Sequence, residues 1–184
     1  AVNFSIGQGD TVITPLKLAQ AYAAIGNNGT IWQPTVAQAI VSPKGEILKR
    51  VEPKKIGQVK IDPKTKAFLD DSLHQVTTSG TAAGAFAGIK VAISGKTGTG
   101  EVFGLNSNGR KKDSTSWFAS YGPTEKPRYV VVMSVSQGGT GAGAAGVGVR
   151  VVWDELYGGA EPLFPSGPPK KLPKVSTTTK VINS

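Results

Sequence analysis

The chain has 184 residues, 39% of them hydrophobic and 18% charged, which suits a folded domain with a real core and excludes a disordered chain. It has no cysteine, which excludes disulfides and cysteine-ligated metal sites. The formal net charge of +9 is typical of nucleic-acid binding or of attraction to an anionic surface. However, the basic residues are scattered, and several lie in a tail without acidic residues after Glu161, so we expect no nucleic-acid partner.

The first elements follow from local signals. Residues 1–14 are Gly-rich and read as extended chain. A helix is predicted from Pro15, with Thr14 as its N-cap and a Leu/Ala-rich run over 16–25. The segment 26–29, Gly-Asn-Asn-Gly, ends that helix. No signal peptide or membrane-spanning run occurs, so we expect either a cytosolic protein or a targeting segment outside this sequence.

The middle of the chain predicts short strands and a second helix. Residues 30–61 read as strands with a hairpin, in which 47–48 and 59–61 flank a turn near Pro53. Asp62 and Pro63 begin a helix that extends to about Thr77. Its predicted apolar face comprises Phe68, Leu69, Leu73 and Val76. A loop over 79–84 follows.

The remainder predicts an antiparallel meander and a closing helix. Strands are expected at 89–100, 115–121 and 128–136, with a turn at 122–127. A Gly/Ala loop over 138–146 leads to a helix over 147–157. This order gives an α+β fold with an antiparallel sheet flanked by helices. We expect one domain over 1–158 and a disordered Pro/Lys/Thr-rich tail over 159–184.

The segment Lys96-Thr97-Gly98-Thr99 at the end of the first meander strand carries the clearest chemistry. Lys96 supplies a positive charge for a carboxylate, and the hydroxyls of Thr97 and Thr99 can bind the same group. Gly98 has no side chain, so a ligand backbone can lie against the strand edge. The backbone N–H of Thr99 is a candidate oxyanion-hole donor.

Other motifs are open to competing interpretations. Gly95-Lys96-Thr97 imitates a phosphate-binding loop, but position 90, where that loop needs glycine, is Lys90. Segment 141–146 matches Gly-x-Gly-x-x-Gly of nucleotide-binding domains, although no second strand and acidic residue follow it. His74, the one histidine, reads as solvent-facing, and no metal site is expected. Trp117 and Phe118 read as core.

The chain resembles the transpeptidase domain of class B penicillin-binding proteins. Lys96-Thr97-Gly98-Thr99 is similar to the third active-site motif of that family. Further similar segments, in the family's order over about residues 3–157, are Ser5 to Asp10, 12–19 (Val-Ile-Thr-Pro-Leu-Lys-Leu-Ala), 21–25 (Ala-Tyr-Ala-Ala-Ile), 28–30 (Asn-Gly-Thr), 79–82 (Ser-Gly-Thr-Ala) and 116–118 (Ser-Trp-Phe).

The resemblance implies a five-stranded antiparallel sheet, of which this chain holds the C-terminal part, and an acyl-serine reaction on peptidoglycan stem peptides that β-lactams mimic. It places Lys96 and Thr99 in catalysis, Thr97, Gly98 and Thr99 at the substrate, and Gln8 in the cleft. The family's Ser-x-x-Lys and Ser-x-Asn motifs do not occur among the 184 residues. They would belong to an N-terminal remainder of the same protein, so this chain alone is expected to be inactive.

The resemblance also implies an extracytoplasmic location in the cell envelope, a membrane anchor upstream of this chain, and no cofactor. Two other functions stay open at this stage. One is a non-catalytic envelope or β-lactam-sensing module of the same fold, or a β-lactamase relative. The weaker one is a nucleotide-binding domain that uses the glycines at 141–146.

Overall fold

The structure is a computed structural model that describes Gly7 and residues 12–158. Its helices are α1 (Pro15–Gly26), α2 (Pro63–Thr78), α3 (Ala83–Phe86) and α4 (Val147–Tyr157), and the π-helical turn Ala142–Gly146 leads into α4. Its strands are β1 (Thr30–Trp32), β2 (Ala39–Val41), β3 (Ile47–Arg50), β4 (Lys55–Gln58), β5 (Ser94–Gly100), β6 (Thr115–Gly122) and β7 (Tyr129–Val135). The predicted tail, Gln8 and most of the predicted extended segment 1–14 lie outside the described residues.

Local capping explains where α1 and α2 begin. The Thr14 hydroxyl accepts a hydrogen bond from the Lys17 N–H at 3.2 Å, and Pro15 takes the first helical position, as predicted. The Asp62 carboxylate accepts from Lys64 and Thr65 at 3.0 and 3.2 Å. One residue of the predicted apolar face of α2 is misplaced, because Phe68 is 69% exposed while Leu69 and Leu73 are half-buried.

The three predicted meander strands form one antiparallel sheet in the order β5-β6-β7. Among the described residues β5 pairs with β6 alone, so it is an edge strand, as expected. The prediction that β5 starts at residue 89 is wrong, since the strand begins at Ser94. Val91 and Ile93 lie instead in an irregular segment, and their apolar side chains are buried in the core. Gly88, at φ +71°, turns the chain just before this segment.

The hairpin predicted between 47–48 and 59–61 is also wrong. β3 pairs with the preceding strand β2, and β4 pairs with β1. The β2–β3 turn is closed by the Ser42 N–H, which donates to the Glu46 carbonyl at 2.8 Å, and by Gly45 at φ +85°. A Ser-Pro-Lys-Gly turn at 42–45 therefore joins β2 to β3, whereas the sequence analysis placed the hairpin turn near Pro53.

The two faces of the three-stranded sheet carry different helices. On one face, the Trp153 indole of α4 donates to the Ser120 hydroxyl at 3.0 Å, and Phe86 of α3 stacks on Phe118 with ring centroids 5.1 Å apart. On the other face, Tyr121 contacts Tyr22 of α1 at 6.4 Å. The core lies on the α4 face and comprises Ala82, Phe86, Val91, Ile93, Phe118, Ala145, Val149, Trp153 and Leu156.

Two loops turn out to be partly helical. The predicted loop 79–84 ends in α3, which starts at Ala83, and the predicted loop 138–146 becomes helical from Ala142. The small residues of the second loop allow close packing on the sheet. A Cβ built on Gly141 would lie 2.6 Å from the Gly98 carbonyl oxygen and 2.9 Å from that of Trp117. The α4 helix itself has the predicted bounds.

Candidate functional site: the outer strand of the sheet

The Lys-Thr-Gly-Thr segment lies in the middle of the edge strand β5. Register pairs Lys96 with Ala119 and Gly98 with Trp117, so the Lys96 side chain and the open position at Gly98 lie on the face that carries Tyr121 and α1. Thr97 and Thr99 pair with Phe118 and Ser116 and point to the other face. The outer edge of β5 is open among the described residues. A ligand that binds along this edge can therefore meet side chains from both faces of the sheet.

Lys96 is exposed, and among the described residues it makes no ion pair. Its ammonium donates to the Thr97 carbonyl at 2.8 Å and lies 3.4 Å from the Thr97 hydroxyl oxygen. The charge is therefore held against its own strand by neutral oxygens. A cation in that position is available to an incoming carboxylate, which would bind it more strongly than a neutral oxygen does.

The two threonines are each held by a loop. The Thr97 hydroxyl is 3.0 Å from the Thr81 hydroxyl, which lies in the loop before α3. The Thr99 hydroxyl oxygen accepts from the Gly141 N–H at 3.2 Å. Both contacts join residues far apart in sequence, so local sequence patterns carried no signal for Thr81 or Gly141 as neighbours of this strand.

The base of β5 is fixed by α2. Two side chains of α2 contact the Ile93 carbonyl: the buried Thr77 hydroxyl donates at 2.7 Å and His74 Nδ1 lies at 3.1 Å. His74 is half-buried, so the expectation of a solvent-facing histidine is wrong. These contacts place the start of the strand that carries Lys96.

A buried polar cluster supports the same end of the sheet. The Tyr121 hydroxyl donates to the Asp70 carboxylate, which also pairs with Lys66. Burial, followed by the hydrogen bond to Asp70 and its charge, raises the pKa of Tyr121 above its usual range. Burial also raises the pKa of Tyr22 to about 12. Both phenols are therefore neutral structural groups at ordinary pH.

Gly98 and Trp117, two further residues singled out in the sequence analysis, lie next to each other in the sheet. Gly98 lies beside Trp117, whose Cβ would be 3.1 Å from an added Cβ. The core prediction holds for Phe118 and is wrong for Trp117, which is half-buried on the Lys96 face. Gln8 lies outside the described residues. The described residues contain no cluster of metal-ligating side chains, and no described helix has the length and apolar character to cross a membrane.

The sequence model of the penicillin binding protein transpeptidase domain matches residues 1–151. The chain belongs to this family. Peptidoglycan D,D-transpeptidase MrdA of Haemophilus influenzae is 31% identical over 165 residues, which cover 83% of this chain and 25% of that protein. Peptidoglycan D,D-transpeptidase PbpA of Mycolicibacterium smegmatis is 29% identical over 77% of this chain. The resemblance to class B penicillin-binding proteins is thereby confirmed.

Solved transpeptidases have the same fold. The imipenem acyl-enzyme complex of penicillin-binding protein A from Mycobacterium tuberculosis matches with a TM-score of 0.66 and 26% identity, covering 82% of this chain and 32% of that one. Pseudomonas aeruginosa PBP2, in complex with WCK 5153, matches with a TM-score of 0.66 and 31% identity, covering 81% of this chain and 31% of that one. The chain thus spans about a quarter of the length of the curated relatives and a third of the solved chains.

Proposed function

We propose that this chain forms the carboxylate-binding wall of a peptidoglycan D,D-transpeptidase site that works through an acyl-serine. The observation that carries the proposal is the edge strand β5, with its exposed ammonium at Lys96 and its hydroxyls at Thr97 and Thr99. An extended ligand that lies along an open strand edge gains backbone hydrogen bonds, and side chains at that edge select its end group. A peptide ending in a carboxylate suits this combination.

In the proposed reaction, a serine attacks the carbonyl of the penultimate D-Ala of a stem peptide and the terminal D-Ala leaves. An amine of a second stem peptide then takes the acyl group. Lys96 and the two threonine hydroxyls hold the terminal carboxylate, and the Thr99 N–H helps to stabilise the oxyanion. A β-lactam with a carboxylate occupies the same wall and acylates the same serine.

No Ser-x-x-Lys or Ser-x-Asn motif occurs in the sequence, so we place the nucleophile on a further segment of the same protein. This chain alone is then inactive. The reaction needs no cofactor, because acyl transfer through serine requires only proton transfer and oxyanion stabilisation. Stem peptides lie outside the cytoplasm, so the site is extracytoplasmic, and an anchor on another part of the protein would hold it there.

Labelling of the full-length protein with a fluorescent penicillin tests this function. We expect the label on a serine that is absent from this chain. Lys96→Ala and Thr99→Val should each lower the second-order acylation rate about 10- to 150-fold, since a hydrogen bond to a charged group contributes roughly 1.5–3 kcal/mol. Thr65→Val is the matched control, because Thr65 is exposed in the first turn of α2, away from the strand.

Two outcomes contradict the proposal. One is a label on a serine of this chain. The other is an unchanged acylation rate in Lys96→Ala. A protein that binds penicillin reversibly, with no serine modified, would favour the non-catalytic binding module of the same fold instead.

A further inference from the structure

Three polar groups form a row at the centre of β5. The Lys96 ammonium lies 3.4 Å from the Thr97 hydroxyl oxygen, and that oxygen lies 3.0 Å from the hydroxyl oxygen of Thr81. Lys96 and Thr97 are adjacent in the strand, whereas Thr81 comes from the loop that joins α2 to α3. The row therefore extends from the strand onto a second element of the fold.

The chemistry of these groups fixes the direction of one contact in the row and leaves the other reversible. An ammonium can only donate, so the Thr97 oxygen accepts from Lys96. The Thr97 oxygen has a second lone pair, so in its contact with Thr81 either hydroxyl can be the donor. Where Thr97 donates to Thr81, its proton is used and cannot bind an anion.

A bound carboxylate selects one of the two directions. Thr97 must turn its proton to the carboxylate, and the Thr97 oxygen then needs a donor in place of Lys96, whose ammonium also faces the anion. Thr81 can supply that donor, because a hydroxyl both accepts and donates. A hydrogen bond received by Thr97 also polarises its O–H group and strengthens its donation to the ligand.

The fold does not require the Thr81 hydroxyl for packing. Thr81 is exposed, whereas the next residue, Ala82, is fully buried in the core. The loop is held by its backbone: the Ala82 N–H donates to the Val76 carbonyl at 2.9 Å and the Gly80 N–H to the Gln75 carbonyl at 2.7 Å. The side chain of Thr81 is thus placed beside Thr97 by contacts that do not involve it.

We propose that Thr81 is a positioning residue that acts through Thr97: its hydroxyl donates to the Thr97 oxygen when a ligand carboxylate is bound, so that the Thr97 proton points to the ligand. The proposal rests on the proposed function and adds to it a residue outside the Lys-Thr-Gly strand. Thr81 would therefore contribute to selection for ligands that end in a free carboxylate, without touching the serine.

Acylation of the full-length protein by benzylpenicillin and by its methyl ester tests the proposal. Thr81→Val and Thr81→Ala should each lower the second-order rate with the free acid about 5- to 10-fold, and Thr81→Ser should restore most of it. The rate with the ester should not change, since it offers no carboxylate to Thr97. Thr81→Val combined with Thr97→Val should match Thr97→Val alone, because Thr81 acts through that hydroxyl. Thr65→Val should leave all rates unchanged.

The proposal is overturned if Thr81→Val reacts as fast as the unsubstituted protein, if acid and ester slow equally, or if the double variant multiplies the two losses. These results leave the proposed function intact so long as Lys96→Ala slows acylation. Absence of acylation in the unsubstituted protein instead overturns the proposed function, and this proposal with it.

Discussion

Two buried tyrosine hydroxyls differ in whether they have a hydrogen-bond partner among the described residues. Tyr121 is fully buried in β6, and its hydroxyl donates to the Asp70 carboxylate across the sheet–helix boundary. The hydroxyl of Tyr157, at the end of α4, is also buried but has no hydrogen-bond partner among the described residues. The first bond satisfies a charged group, whereas the second hydroxyl has given up water without a partner in that part of the chain.

Substitution by phenylalanine should therefore lower the free energy of unfolding at Tyr121 but not at Tyr157. Tyr121→Phe removes the donor to a part-buried carboxylate and should lower the free energy of unfolding by about 1.5–3 kcal/mol. Tyr157→Phe removes an unpaired hydroxyl and should be neutral or slightly stabilising. Urea denaturation of the full-length protein measures both. Equal losses in the two variants would show that the Asp70 contact contributes nothing.

At the scale of elements, the loop before α4 is packed directly on the strand that carries the candidate site. Gly141 lies so close to Gly98 that a Cβ would be 2.6 Å from the Gly98 carbonyl oxygen and 2.8 Å from its nitrogen. Both neighbours are backbone atoms, which cannot rotate away. A side chain at position 141 would therefore clash with the backbone of β5.

Gly141→Ala should displace the loop or the strand, lower stability by about 1–3 kcal/mol and slow acylation by penicillin. Gly84→Ala is the matched control, because a Cβ at Gly84 in α3 would meet open space. It should be neutral or stabilising by up to about 1 kcal/mol, since alanine favours a helix. Normal acylation in Gly141→Ala would contradict the close packing.

Elements with strong local signals could be predicted from the sequence, and elements fixed by distant contacts could not. The caps at Thr14 and Asp62 located two helices because capping is local. The apolar run before Ser94 was read as strand, yet its residues are apolar because they fill the core. At the site, Lys96 was found from its motif. The contact of Thr81 with Thr97 joins residues that are 16 positions apart in sequence, and it forms only in the folded chain.

At the scale of the whole molecule, several large apolar side chains of the described chain are exposed to solvent. Leu16 on α1, Val151 on α4 and Phe103 in the loop after β5 are 59%, 63% and 87% exposed. The outer edge of β7 pairs with no strand among the described residues. A further segment of the protein that packed against these elements would bury such side chains.

We therefore expect the isolated chain to aggregate or to unfold over a broad temperature range, because its core lies on one face of a three-stranded sheet. Circular dichroism during heating and light scattering measure this. The full-length protein is the control and should unfold cooperatively. A sharp, reversible two-state transition of the isolated chain would contradict the expectation that it needs a covering segment.

The β2–β3 hairpin has a practical consequence. Between residues 30 and 76 no residue is buried, and among the described elements each strand of this hairpin packs extensively only on the other. Its turn, around Lys44 and Gly45, lies at the tip of the hairpin. Loop tips of this kind tolerate inserted residues. An affinity tag or a fluorescent reporter placed there would follow the protein in cells while leaving the buried core of the described chain unchanged.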